Sequence, residues 1–119
     1  MNVFISQPMH GMTTEVLKDS RLHIVPVIKK FFLAKPWVLR CEAPKTENDI
    51  TILDNLWTDD LPHRLQYLGK SIALMSQADV VVFVGGWVHS LGCKVEFQVA
   101  KEYGIQSFVY DLFMKEVIS

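Results

Sequence analysis

Ser90 and Glu96 stand six residues apart just beyond the loop-like stretch Gly85-Gly86-Trp87-Val88-His89, which itself follows the unbroken apolar run Val80 to Val84. A carboxylate on the first turns of a helix that faces a crevice can act as nucleophile or base; on a solvated face the same glutamate would merely favour the helix N-terminus. Serine just before a helix accepts a backbone N–H as N-cap, and the unpaired N–H groups beside it can also hold an anion. His10 and His89 fall in loops where either could touch a base or a phosphate, or stand exposed without a role. Trp87 could stack on a nucleobase or pack into a core or interface. Met9 and Met12 suit the lining of a pocket or interface, and Arg21 either reaches a phosphate or is solvated. Gly85-Gly86 is no phosphate fingerprint, because neither G-x-G-x-x-G nor a Walker A lysine is present.

The elements that must position these residues follow from hydrophobic patterning. Val80 to Val84 shows no alternation, as expected of a parallel strand covered on both faces. Leu91, Val95, Val99 and Ala100 recur at helical spacing, and Tyr103-Gly104 supplies a helix stop. Met1 to Ser6 predicts a first strand, followed by loop chemistry in Gln7-Pro8-Met9-His10-Gly11. Thr13 or Thr14 is positioned to cap a long first helix carrying Glu15, Val16, Leu17, Leu22, Ile24, Val25 and Ile28, which Pro26 should kink or split. Pro36 to Glu42 predicts a second strand. Lys45 to Pro62 fits either a short helix or an ordered active-site loop. From Leu61-Pro62 a helix of about fifteen residues is expected, with Leu65, Leu68, Ile72, Leu74 and Met75 as its buried stripe. Ile105 to Tyr110 predicts another strand, and Leu112 to Ile118 a short terminal helix. This alternation predicts one α/β domain over residues 1–119, doubly wound in the Rossmann-like or flavodoxin-like manner, with a mostly parallel sheet of four or five strands. The loops Gln7 to Met12 and Gly85 to Ser90 should then meet at one edge of that sheet.

Composition excludes several classes. Twelve Lys and Arg nearly balance thirteen Asp and Glu, so a field strong enough to recruit a nucleic-acid polymer is not expected. No uncharged run approaches the roughly 20 residues that span a bilayer, and a cytoplasmic protein is expected. Cys41 and Cys93 have no metal-ligand spacing and are expected as free thiols, with no metal site. Three tryptophans and an apolar half of the chain are compatible with a homo-oligomer interface.

Taken in order, the motifs resemble those of the nucleoside 2-deoxyribosyltransferase superfamily, especially its deoxynucleoside 5′-monophosphate N-glycosidases. Ala78-Asp79-Val80-Val81-Val82 followed by Ser90-Leu91-Gly92-x-x-x-Glu96-x-x-x-Ala100 resembles the A-D-V-V-V…S-L-G-x-x-x-E-x-x-x-A of that branch. Phe4-Ile5-Ser6-Gln7-Pro8-Met9-x-Gly11 resembles the family's first strand and sugar-phosphate loop. The chain is still more similar to a group in phage and bacterial genomes whose pattern Arg64, Ser71, Ile72, Met75, Ala78, Asp79, Gly86, Trp87, Gly92, Cys93 and Glu96 supply. The resemblance implies cleavage of an N-glycosidic bond in a nucleoside or nucleotide, with Glu96 as nucleophile, a covalent 2-deoxyribosyl intermediate, and no metal or organic cofactor. It implies a binding set of Ser6, Gln7, Pro8, Met9, His10 and Gly11 from the first loop with Gly86, Trp87, Ser90 and Gly92 from the second, Ser90 holding a 5′-phosphate. It also implies a dimer or larger oligomer; Asp79, at the junction of helix and strand, is expected to be structural. The family carries an aspartate eight residues before Asp79 that assists the leaving base, and this chain has Ser71 there. A serine cannot replace a carboxylic acid. Asp59, Asp60 or a neighbouring chain would then supply the proton, or the pocket would bind and sequester a nucleotide without turnover.

Overall fold

Val80 to Val84 is buried at every position, and in a computed structural model of the chain it forms the middle of the sheet. The structure describes residues 1–56, 63–111 and 115–118. Their strands are β1 (Asn2–Ser6), β2 (Thr51–Ile52), β3 (Val80–Val84), β4 (Gln106–Asp111) and β5 (Glu116–Ile118), and their helices are α1 (Thr14–Ala34), α2 (Arg64–Met75) and α3 (Leu91–Glu102). The sheet order is β2-β1-β3-β4-β5. The first four strands pair in parallel and β5 is antiparallel to β4. The expected doubly wound α/β domain with a mostly parallel sheet is therefore present.

Period-two geometry divides the strands between two cores. Val3, Ile5, Val80, Val82, Val84 and Phe108 face Ile24, Ile28 and Phe32 of α1. Phe4, Val81 and Phe83 face Met75 of α2 and Ala100 of α3. Both faces are covered, which explains the missing alternation in β3. The ring of Phe108 lies edge-on to Phe32 at 5.1 Å and to Phe31 at 5.8 Å. Asp79 has the structural role expected of it: its Oδ2 accepts the backbone N–H of Asn2 at 2.7 Å, tying the start of β1 to the start of β3.

Three expectations need correction. Pro36 to Glu42 is no strand. Pro36 opens a 3-10 turn at Pro36–Val38, and the segment is held by one side chain instead of a ladder: Gln106 Nε2 donates to the Val38 carbonyl and Gln106 Oε1 accepts from Arg40 N. The sheet edge beside β1 is taken by β2, with Thr51 N donating to Met1 O and Leu53 N to Val3 O. Leu112 to Ile118 is not a helix either, because Glu116–Ile118 pairs with Val109–Asp111; residues 112–114 lie outside the described set. Pro26, finally, does not divide α1, which runs as one helix of 21 residues capped by Thr13. Its position is exposed, and so is that of Leu22, whose carbonyl loses its intrahelical partner; water can satisfy it there.

On α2 the buried positions are Ser71 and Met75, with Leu68, Ile72 and Leu74 half-buried and Leu65 exposed, so the expected apolar stripe is displaced toward Ser71. Its start lies after the expected Leu61-Pro62, which falls outside the described residues; His63 is the N-cap, accepting Leu65 N through Nδ1. No described helix is long and apolar enough to cross a membrane. Truncation of the packed ring, Phe108→Ala, should cost about 3–5 kcal/mol in urea unfolding. Leu22→Ala, at a residue 72% exposed on the far side of α1, should change stability by no more than about 0.5 kcal/mol.

Candidate active site

The order β2-β1-β3 reverses the direction of winding beside β1, and a crevice opens at the carboxyl ends of β1 and β3, where doubly wound sheets bind ligands. A cleft of about 420 Å³ lies there. The loop after β1 contributes Gln7, Met9, His10, Gly11 and Met12 to its wall, α3 contributes Ser90, Gly92, Cys93 and Glu96, and α2 contributes Arg64, Tyr67, Leu68 and Ser71. The opening loop and Glu96 thus share one hollow, as the sequence led us to expect. Gly11 (φ +76°) and Gly86 (φ +90°) adopt left-handed backbone, so each turn depends on a residue without a Cβ. At Gly92 a Cβ would meet no protein atom within 4 Å, which leaves that part of the cleft wall open.

Not every expected residue faces the cleft. Ser6 lies beneath it, fully buried, and donates its hydroxyl to Glu96 Oε1 at 3.0 Å. Pro8, Gly86, Trp87 and His89 are not among the cleft-lining residues. Trp87 instead packs against Phe83 at 5.1 Å and Phe97 at 4.7 Å, the core reading of that aromatic. Ser90 is the N-cap of α3, accepting Cys93 N at 3.4 Å. The buried positions of α3 are Cys93, Glu96 and Ala100; of the expected Leu91, Val95, Val99 and Ala100, only Ala100 is fully buried, Val95 and Val99 are half-buried and Leu91 is exposed, because the helix turns its carboxylate toward the sheet end. Asp59 and Asp60 lie outside the described residues.

Two members of the site carried little signal. Asn55 is buried in a stretch with no clear period, and only the fold brings it to the cleft wall. Arg21 is not solvated and is not among the cleft-lining residues: it is 9% exposed and hydrogen-bonded to Gln7 and Asn55. Tyr67 was findable, since Arg64, Tyr67, Leu68 and Ser71 follow the three- and four-residue steps that place them on one helix face. Among the described residues no three His, Cys, Asp or Glu side chains gather as a metal site.

Glu96 is 7% exposed. Burial pushes its carboxyl up to about 7, against the opposing pull of the Ser6 hydroxyl and the positive charge of Arg21. Burial likewise raises the neighbouring Cys93 thiol, despite its hydrogen bonds with Ser6 and Ser90, and so favours the unreactive protonated form. Near neutral pH the cleft therefore holds a carboxyl group poised between acid and base. In the unfolded chain that group titrates near its ordinary 4.5. Folding takes up a proton between these values, so stability is fullest below about 4.5 and falls as pH rises through about 7. Glu96→Gln removes the charge but keeps an acceptor for Ser6. In urea unfolding it should be more stable than the native chain at pH 8 by on the order of 2–3 kcal/mol, with the gap nearly closed at pH 4.5. An equal difference at both pH values would contradict this assignment.

The family model described as a domain of unknown function, DUF4406, matches residues 44–109. No curated protein and no solved structure matches the chain. The matched stretch runs through β2, α2, β3 and α3 into β4, and so carries Ser71, Ser90, Cys93 and Glu96, while the opening loop precedes it. With more than half of its 119 residues matched, the chain belongs to the DUF4406 family.

Proposed function

We propose that this protein cleaves, or transfers from, the N-glycosidic bond of a 2-deoxynucleoside or its 5′-monophosphate, with Glu96 as the nucleophile. One observation carries the reading: a nearly buried carboxyl group, held through Oε1 by Ser6, lines the same cleft as the loop Gln7 to Met12. The resemblance of the Ala78–Ala100 and Phe4–Gly11 motifs to nucleoside 2-deoxyribosyltransferases supports it, and so does the position of the cleft at the winding reversal.

In this mechanism Glu96 Oε2 attacks the anomeric carbon as the C1′–N bond breaks through an oxocarbenium-like transition state. The bonding pair stays on the base nitrogen, which takes up a proton. Water, or the nitrogen of a second base, then attacks the same carbon and releases Glu96 as carboxylate. The desolvated site makes the carboxylate a stronger nucleophile than it would be in water, and Ser6 fixes its orientation. A 5′-phosphate would lie at the start of α3, where the first-turn N–H groups behind Ser90 point outward. The proton for the base does not come from a carboxyl at position 71, where a serine lines the cleft. Tyr67, one turn earlier on the same face, and His10 on the opposite loop are the groups we assign to that transfer.

Ser71 favours a second reading, in which the cleft holds a nucleotide without cutting it. Chromatography separates the two. Incubated with the common deoxynucleosides and their 5′-monophosphates, the protein should release free base from at least one, and Glu96→Ala should slow that release by 10³-fold or more. Because attack requires the ionised carboxyl, kcat/KM should rise with pH up to a midpoint near 7 and then level. Intact ligand recovered from a tight complex, with no base from any substrate, would support the binding reading and overturn the enzymatic one.

A further inference from the structure

Arg21 is a buried cation whose hydrogen-bond acceptors among the described residues are all uncharged. Nε donates to Gln7 Oε1 at 2.9 Å, and Nη2 donates to Asn55 Oδ1 at 2.8 Å and to the Ile5 carbonyl at 3.4 Å. The two amides close the network behind it: Asn55 Nδ2 donates to the same Ile5 carbonyl at 2.9 Å, and Gln7 Nε2 to Ser20 Oγ at 2.9 Å. Gln7, directly after β1, and Asn55, just beyond β2, both line the cleft, so a single guanidinium on α1 ties together two separate loops. Burying a cation with no carboxylate hydrogen-bonded to it among the described residues is costly, and a core-facing leucine would pack at that helix position without the cost. Such a charge is informative when something nearby uses it.

We propose that Arg21 is the positioning residue of the cleft: from behind the floor it fixes Gln7 and Asn55, and its charge is the counterweight to Glu96. The lysine alternative could carry the charge but not the planar fork that reaches both amides. Glu96 is acted on by Ser6 from β1 and Arg21 from α1 and interacts with Cys93 on its own helix, and it shares the cleft lining with His10 from the loop after β1 and Arg64 and Tyr67 from α2; Asp54, beyond β2, acts on Arg21 itself. Desolvation lowers the guanidinium to about 10, so it remains charged throughout the range in which Glu96 titrates. Under the glycosidic reading above, the same charge would help Glu96 depart as carboxylate in the second step. The positioning and the charge coupling stand without that reading, and their test needs no turnover.

The test is side-chain NMR of the full chain, uniformly labelled, as the native protein and as Arg21→Lys and Arg21→Met. The Glu96 carboxyl carbon, assigned by its disappearance in Glu96→Gln, is followed against pH, together with exchange of the Gln7 and Asn55 side-chain amides. In Arg21→Met the Glu96 midpoint should rise by about half a unit or more, and both amides should exchange at least about tenfold faster. In Arg21→Lys the midpoint should stay within about 0.3 units while the amides still lose protection. If Arg21→Met does not fold, Arg21→Gln takes its place with the same expectation, and the lysine variant tests the positioning half alone. An unchanged Glu96 midpoint without the charge, or amides as protected as in the native chain in any of these variants, would overturn the proposal. Base release measured on the same native sample reports separately on the glycosidic reading.

Discussion

A carboxyl group kept almost entirely out of water at the end of a parallel sheet is the constraint around which this structure is arranged. Glu96 is reached by a hydrogen bond from Ser6, which is itself fully buried, and by the field of Arg21, whose guanidinium is held by three uncharged oxygens. Neither partner sits on the helix that carries the glutamate. The serine ends β1 and the arginine lies within α1, so the carboxylate is defined only when β1, α1 and α3 are packed together. Desolvation of such a group opposes folding at neutral pH, and the two cores on either face of the sheet must outweigh it.

The same arrangement explains why the cleft lies where it does. β1 and β3 are neighbours, yet β1 connects through α1 to β2 on one side while β3 continues through α3 to β4 on the other. The chain leaving β1 and the chain leaving β3 therefore diverge, and the space between them is not filled by a connection. Gln7 and the loop after it line one bank and α3 the other, with α2 as the third wall and Ser6 beneath.

Much of this was legible in the sequence, for identifiable reasons. β1, β3 and the span of α3 could be read because strands covered on both faces leave continuous apolar runs and because loop glycines punctuate the helices. β2 could not: Thr51–Ile52 is two residues long, too short to carry a period, whereas Pro36 to Glu42 has the composition of a strand but is held by the Gln106 side chain. β5 is made by pairing with β4, a tertiary effect that local propensity does not reveal. In the site, the serine-to-glutamate spacing pointed to Glu96, and the apolar pattern of α3 found Ala100 but not the rotation of the helix that buries Cys93 and Glu96 and exposes Leu91. Asn55 gave no signal and Arg21 only an ambiguous one, because a polar residue bound into a buried network looks the same in sequence as a solvated one.

The central claim is covalent chemistry at Glu96, and mass spectrometry of the acid-quenched protein tests it most directly. After incubation with each 2-deoxynucleoside and its 5′-monophosphate, the account predicts an added 2-deoxyribosyl or phosphorylated 2-deoxyribosyl group that maps to the peptide containing Glu96 and is lost in Glu96→Gln. Base release that leaves every quenched sample unmodified, and that proceeds at the native rate in the glutamine variant, would contradict it.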